Sequence, residues 1–129
     1  MVIIVRGRPV SVNASAARRR AWMEVVAQAA SAVYVAPLND NNLRIIITFW
    51  YERLPDFDTD NISKPICDAL QGIVYYNDHQ LMERIARRKD INGRYHIRGA
   101  PPEIVLAIRD GVEFVSIQIE RVGEEASRI

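Results

Sequence analysis

Cysteine and histidine are scarce in this sequence, which contains one cysteine and two histidines. The single cysteine, Cys67, excludes an internal disulfide and indicates a reducing compartment. No Cys/His spacing is typical of a zinc site, and the glycine-rich phosphate loop and the Gly-x-Ser-x-Gly turn are both missing. The familiar motifs of zinc proteins, P-loop enzymes and serine hydrolases are therefore absent.

Long hydrophobic runs are also missing. No apolar stretch reaches the roughly 18 residues that a membrane span requires, and the N-terminus lacks the apolar region and cleavage site of a signal peptide. We therefore expect a cytoplasmic protein with no membrane partner. Hydrophobic residues make up 49% of the chain and charged residues 26%, which is typical of a folded globular protein rather than a disordered one.

The net charge of +1 is unevenly distributed along the sequence. Residues 1–35 carry an excess of four basic side chains, residues 36–80 an excess of four acidic ones, and residues 81–100 again an excess of four basic ones. A nuclease site has this pattern, because carboxylates hold metal while flanking basic groups hold phosphates. Ordinary scatter of surface charge is the alternative, so motifs have to distinguish the two.

Hydrophobic periodicity predicts one α+β domain over residues 1–129, with a mixed β-sheet and helices packed on it. Predicted strands cover residues 2–5, 43–52, 81–91 and 113–120. The third strand places Arg84 and Arg88 on one side, with Arg87 and Lys89 on the other. The tail from Gly123 onward is predicted to fray.

Three helices are predicted between these strands. The first has an apolar face at helical spacing, formed by Trp22, Val25, Val26, Ala29, Ala30 and Val33. Ser15 or Asn13 is its expected N-cap. The second helix is predicted from about Ile62 to Gln71 with Pro65 in its first turn, and the third lies within residues 100–111, ended by Gly111.

The most unusual segment is "DFDTDNISKPICDAL", residues 56–70. On a helix, Asp60, Lys64 and Asp68 share one polar face, and Ile62, Ile66 and Leu70 share the opposite, core-facing one. Asp58 lies two residues before Asp60, where a strand is followed by the helix, so the two carboxylates can converge. Carboxylates that close repel each other and one has its pKa raised, a conflict that a divalent cation removes.

Three interpretations of this segment compete. The first is a capping loop with a simple Asp60–Lys64 salt bridge. The second is a calcium loop, which fails because Asn61 stands at the glycine position and Cys67 at the bidentate glutamate position. The third is a magnesium site for phosphoryl transfer, with Asp78 as a further ligand from a separate segment.

The segment resembles the signature of the RusA family of Holliday junction resolvases, approximately D-x-D-N-x-x-K-x-x-x-D-A-L, then a glycine, an aromatic residue and D-D-x-Q. The matching residues are Asp58, Asp60, Asn61, Lys64, Asp68, Ala69, Leu70, Gly72, Tyr75 or Tyr76, Asp78 and Gln80. The opening "VRGRPVSVNAS" also resembles that family, so the resemblance spans residues 2–90. The segment 92–111 is longer than in a minimal member and is similar to phage-type relatives.

The resemblance implies a Mg²⁺-dependent endonuclease that acts as a homodimer on four-way DNA junctions, without a small-molecule cofactor. By motif position it assigns Asp58, Asp60 and Asp78 to the metal and Lys64 to the phosphate. Asn61 would orient the turn and Asp68 would support the site. One position departs from the family pattern, because the first of its paired aspartates is Asn77 here.

DNA contacts are expected from basic side chains on both flanks of the acidic segment and from the lysine within it. These are Arg18, Arg19, Arg20, Lys64, Arg84 and Arg88. A nuclease for flaps, forks or other branched DNA is one alternative function, and a DNA-binding accessory protein that does not cut is another. For the dimer interface, the sequence offers the aromatic strand with Phe49, Trp50 and Tyr51, or the apolar helix 104–108.

Overall fold

The computed structural model describes residues 1–93 and 99–123. The helices and strands follow the predicted α+β order, and the described residues form one four-stranded mixed sheet with three α-helices. In chain order the elements are β1 (Val2–Arg6), α1 (Ala16–Ser31), β2 (Leu43–Tyr51), α2 (Asp60–Leu70), β3 (Leu81–Asp90), α3 (Pro102–Asp110) and β4 (Phe114–Arg121). A short 3₁₀ helix, Asp78–Gln80, directly precedes β3.

The strand order in the sheet is β1-β4-β2-β3. β4 pairs antiparallel with both of its neighbours, whereas β2 and β3 run parallel, from Leu43 opposite Leu81 to Tyr51 opposite Asp90. Parallel neighbours cannot be joined by a tight turn, so the chain crosses back along the sheet through α2. The acidic segment therefore follows the end of β2, and Asp78 precedes the start of β3.

The main core lies between one face of the sheet and the helices α1 and α2. The sheet contributes alternate residues, including Ile45, Ile47 and Phe49 of β2, all fully buried. α2 contributes an apolar face at helical spacing, formed by Ile62, Ile66 and Leu70. The predicted separation of a core face and a polar face on α2 is confirmed.

A smaller core lies on the opposite face of the sheet, under α3. Its centre is Trp50, whose ring stacks on Phe114 with the ring centroids 5.7 Å apart. Phe49 is 0% exposed and Trp50 is 5% exposed, so the aromatic strand was the wrong candidate for a dimer interface. In α3, by contrast, Leu106 is 58% exposed.

The start of α2 differs from the prediction. The helix begins at Asp60 rather than Ile62, so Pro65 lies in the second turn and not in the first. A proline there removes the N–H that would bond to the carbonyl of Asn61. The backbone N–H of Val12, in the loop after β1, donates to that carbonyl instead at 2.8 Å. The proline is therefore tolerated because another segment supplies the missing donor.

The apolar face of α1 is narrower than predicted. Ser15 is the N-cap, and its hydroxyl accepts from the backbone N–H of Arg18. Val26 is fully buried, but Val25 is 45% exposed. A helix packed on a sheet buries only part of its circumference, and Val25 lies at the edge of the buried part. The predicted fraying of the tail concerns residues beyond Gly123, which lie outside the described residues.

No helix among the described residues is long and apolar enough to span a membrane.

Adjacent valines in α1 test how this core packs. Val26→Ala should lower the free energy of unfolding by about 2 kcal/mol, because two buried carbons are lost and a cavity remains. Val25→Ala should change it by less than about 0.5 kcal/mol, as expected for a partly exposed position. Urea denaturation of the two variants measures the difference, and equal losses would contradict this packing.

Candidate functional site

The aspartate-bearing loop connects the end of β2 to the start of α2. The carbonyl of Asp58 accepts from the N–H of Asn61 at 3.0 Å, which closes the first turn of the helix. Asp60 is the first residue of α2, where the helix dipole favours a negative charge. Both carboxylates are exposed. The backbone therefore presents two adjacent aspartates to solvent at a helix N-terminus, as the sequence indicates.

A cleft of about 520 Å³ lies between this loop and the loop that follows β1. Asp56 and Asp58 line one part of it, and Arg8 and Arg18 line another. The cleft thus combines negative and positive side chains. Of the three arginines predicted at the start of α1, Arg18 is the one that reaches this cleft.

Arg19 has a different environment from its neighbours. Its guanidinium donates to the carbonyls of Val12 at 3.0 Å and Ala14 at 2.7 Å. Arg19 is therefore half-buried and holds the loop after β1 in shape, whereas Arg18 and Arg20 are exposed.

The polar face of α2 carries a different ion pair from the Asp60–Lys64 salt bridge of the capping-loop interpretation. Lys64 pairs with Asp68 at 3.1 Å, toward the end of the helix, rather than with Asp60. Both side chains are exposed, and a pair of this kind contributes at most about 1 kcal/mol. The ammonium group of Lys64 can therefore leave Asp68 at little cost.

Asp78 lies at the other end of α2. Its carboxylate pairs with Arg84 of β3 at 3.2 Å. The charges of Asp78, Asp68 and Arg84 all act on the Cys67 thiol, which places these three groups around the second half of α2. Burial raises the pKa of that thiol, so Cys67 is a protonated core residue and not a nucleophile.

The basic residues of β3 alternate between the two faces of the sheet, as predicted. Arg84 lies on the α2 side with Asp78, and Arg88 has the same parity along the strand. Arg87 lies on the other side, where its Nε donates to the Thr48 hydroxyl at 2.9 Å.

Gln80 fixes the segment that carries Asp78, a role that the sequence motif did not reveal. Its side-chain oxygen accepts from the N–H groups of Tyr76 and Asn77, and its side-chain nitrogen donates to the carbonyls of Leu38 and Asp40. Both acceptor positions of the oxygen and both N–H groups of this buried amide are used in this way. The glutamine in the motif was the one sequence signal for this role, and it does not indicate which backbone groups the side chain bonds.

Asn77 caps the 3₁₀ helix that contains Asp78. Its side-chain oxygen accepts from the N–H of His79 at 3.0 Å. Asparagine and aspartate serve this capping role about equally well. The departure at position 77 from the family pattern therefore preserves the local structure.

Glu113, just before β4, holds the start of the aspartate-bearing loop and was not predicted. Its carboxylate accepts from the N–H groups of Glu52 at 2.8 Å and Arg53 at 3.1 Å, and it pairs with Arg8 at 3.1 Å. Arg8 also donates to the carbonyl of Arg53 at 2.6 Å. The two residues that follow β2 are thus fixed by one residue just after β1 and one just before β4.

The far end of the same loop is fixed by aromatic contacts. The guanidinium of Arg8 lies over the ring of Phe49, 5.4 Å from its centroid, and Phe57 stacks against that ring at 6.3 Å. Phe57 directly precedes Asp58. Both ends of the loop are therefore held by groups in contact with Arg8.

Burial opposes ionisation of Glu113, but the N–H donors of Arg53 and Glu52 and the charge of Arg8 outweigh it and hold its pKa below the ordinary 4.5. Glu113→Gln should therefore destabilise the fold by about 2 kcal/mol at neutral pH. A lowered pKa means that this contribution is complete above the unfolded value and is lost as the pH falls through the folded value.

The stability difference between wild type and Glu113→Gln, measured by urea denaturation, should accordingly shrink below about pH 4.5. Glu120→Gln is the matched control, because Glu120 also pairs with an arginine but is more exposed and lies at the other end of β4. A larger loss in the control would contradict the role given to Glu113.

The three aspartates fit a magnesium ion by donor type, because carboxylate oxygens are the ligands that Mg²⁺ prefers. By position they are divided, with Asp58 and Asp60 at one end of α2 and Asp78 near the other. Among residues 1–93 and 99–123, no group of three or more His, Cys, Asp or Glu side chains could hold a metal ion. The described part of the chain thus supplies suitable ligands without collecting them in one place.

Comparison with known proteins adds one positive finding. The family model described as Endodeoxyribonuclease RusA matches residues 6–109. This span includes the two aspartates at the start of α2, Lys64 and Asp78. A search of the curated proteins finds no match.

Proposed function

Because this chain belongs to the RusA family of endodeoxyribonucleases, we propose that it resolves four-way (Holliday) DNA junctions by paired, Mg²⁺-dependent nicks in DNA recombination and repair. The observation that carries the proposal is the family match over residues 6–109, which contains every residue assigned to chemistry. Those residues are Asp58, Asp60, Lys64 and Asp78. Their exposure to solvent supports a role at the surface of a large substrate.

The proposed roles follow from the chemistry of each side chain. Asp58, Asp60 and Asp78 would hold Mg²⁺, which in this class of reaction activates water and stabilises the departing oxygen. Lys64 would offset phosphate charge after leaving Asp68, and Asp68 would hold it in place until then. Asn61 would orient the turn through its bond to Val12.

Basic side chains near the aspartates would bind the DNA backbone. Arg18 lines the same cleft as Asp58, and Arg20 is exposed on the same helix. Arg84 lies on the α2 side of β3, and Arg88 shares its parity. Arg19 is half-buried and bonds to backbone carbonyls through its Nη1, and the other nitrogens of its guanidinium carry the donors for a phosphate contact.

A homodimer is part of the proposal. A four-way junction has two scissile strands, and a two-fold dimer places two equivalent sites on a substrate of similar symmetry. DNA and Mg²⁺ are the proposed partners, without a small-molecule cofactor. A DNA substrate is consistent with the cytoplasmic location that we expect from the sequence.

The decisive experiment compares labelled four-way, flap, fork and linear duplex DNA in Mg²⁺ and in EDTA. The proposal requires Mg²⁺-dependent cutting of the four-way junction at paired positions. Preferred cutting of flaps or forks would indicate a nuclease for other branched DNA. Binding without cutting on any substrate would indicate an accessory DNA-binding protein.

Asp60→Asn should lower the cleavage rate by at least about 100-fold, because it removes one of the charges proposed to hold the metal. Junction binding should be unchanged or tighter, since less negative charge faces the phosphates. Gel-shift and cleavage assays on one four-way junction measure both effects. Asp56→Asn is the control in the same loop and should retain activity. An Asp60→Asn variant that cuts at the wild-type rate would refute the metal assignment.

Arg18→Glu should weaken junction binding and lower the slope of log K against log salt by about one, because a phosphate contact and its released counterion are lost. Arg109→Glu carries the same charge change on exposed α3, across the sheet from the cleft, and is the control. Binding titrations between about 50 and 200 mM salt distinguish the two. Equal salt slopes in both variants would show that Arg18 does not contact DNA.

A further inference from the structure

The cleft beside the aspartate-bearing loop contains an aromatic ring that the proposed metal chemistry does not use. Phe57 stacks on the fully buried ring of Phe49, with the centroids 6.3 Å apart and the planes at 23° to each other. Phe57 itself is half-buried and lines the cleft together with Asp58 and Arg18. A half-buried ring in a cleft with charged walls is a surface on which a flat aromatic group can stack.

Asn13 lines the same cleft from the loop that follows β1, and its backbone is fixed from several directions. Its N–H donates to the Ser11 hydroxyl at 3.1 Å. The carbonyls of its two neighbours, Val12 and Ala14, both accept from the guanidinium of Arg19, at 3.0 and 2.7 Å. The N–H of Val12 is in turn bonded to the first turn of α2. The position of Asn13 on the cleft wall is therefore rigidly determined.

The side-chain amide of Asn13 is left available by this arrangement. Asn13 is exposed, and its amide takes part in none of the hydrogen bonds among residues 1–93 and 99–123. A primary amide presents a donor next to an acceptor, which is the pattern with which asparagine recognises the edge of a nucleobase. A free recognition group on a fixed backbone is preorganised for binding.

The contents of the cleft match the parts of one nucleotide. The ring of Phe57 suits the face of a base, the amide of Asn13 suits its polar edge, and Arg18 suits a phosphate. The volume of about 520 Å³ lies within the roughly 300–1,000 Å³ of small-ligand sites. Bases at a branch point or in a single strand leave the DNA stack at lower cost than bases inside a duplex. Branched DNA therefore offers a suitable ligand.

We propose that this cleft binds one unpaired base at the branch point of the DNA, stacked on Phe57 and hydrogen-bonded to the side chain of Asn13. Because Phe57 directly precedes Asp58, the bound base lies next to the scissile phosphate, and Asn13 is a specificity-determining residue. The inference rests on the proposed function, since it takes branched DNA as the ligand. It adds recognition of a base to a site otherwise assigned to metal and phosphate.

An exchange of the recognition group tests the role of Asn13. Aspartate has acceptors only, and guanine is the base that presents two adjacent donors, its N1–H and N2–H groups. Asn13→Asp should therefore raise the affinity for guanine relative to the other three bases by at least about fivefold. Binding titrations in EDTA, on four-way junctions that differ only in the bases beside the branch point, measure this ratio without cleavage.

Asn41→Asp is the matched control, because it makes the same charge change at an exposed asparagine before β2, at the opposite end of that strand from the aspartate-bearing loop. Its base preference should equal that of the wild type. An unchanged preference in Asn13→Asp, or an equal change in Asn41→Asp, would overturn the assignment of Asn13.

A double-mutant cycle with abasic DNA tests the stacking. An abasic position beside the branch point should weaken wild-type binding about tenfold. Phe57→Leu keeps an apolar contact with Phe49 but has no aromatic face, so it should bind the intact and the abasic junction equally. Phe57→Tyr keeps the ring and should behave as the wild type, while circular dichroism checks that both variants are folded.

The outcomes separate the inference from the proposed function. A wild-type protein that cuts four-way junctions but binds intact and abasic junctions equally at every position beside the branch point overturns the inference alone. A wild-type protein that cuts no DNA, yet loses affinity on the abasic junction only while residue 57 is aromatic, supports the base site and refutes the proposed function.

Discussion

Parallel pairing of β2 with β3 is the constraint on which the rest of the structure depends. Because parallel strands require a crossover, the chain must return along the sheet, and α2 is the helix that makes this return. The helix is held there by Ile62, Ile66 and Leu70, which bury their side chains against the sheet. That single arrangement determines where every acidic residue of the motif is displayed.

The charge pattern of the sequence acquires a spatial meaning in this arrangement. In the basic segment 1–35, Arg18 lines the cleft. In the basic segment 81–100, Arg84 pairs with Asp78. Each end of α2 thus has carboxylates with an arginine nearby. In a protein that handles DNA, such a distribution limits repulsion between the carboxylates and the phosphate backbone, while basic groups remain available on both flanks.

The sequence predicted well those features that depend on local periodicity. The strand order along the chain, the buried face of α2 and the alternation of basic residues on β3 were all predicted from spacing within one element. The prediction was wrong where distant segments decide. The predicted helix start at Ile62 came from placing Pro65 in the first turn. The helix can begin at Asp60 because the N–H of Val12, in the loop after β1, donates to the carbonyl that Pro65 leaves without a partner. The contacts of Glu113 with Arg8 and Arg53 join residues far apart in sequence, and no local pattern encodes them.

The bond between Val12 and Asn61 also has a consequence for folding kinetics. An isolated α2 would carry an unpaired carbonyl at its first turn, so its N-terminal end gains full hydrogen bonding only after the loop following β1 has docked. Closing a contact between residues so distant in sequence is entropically costly and tends to occur late. The end of the helix that carries Asp60 should accordingly order after the end that carries Leu70. During synthesis or refolding, the acidic loop would then remain open until most of the sheet has assembled.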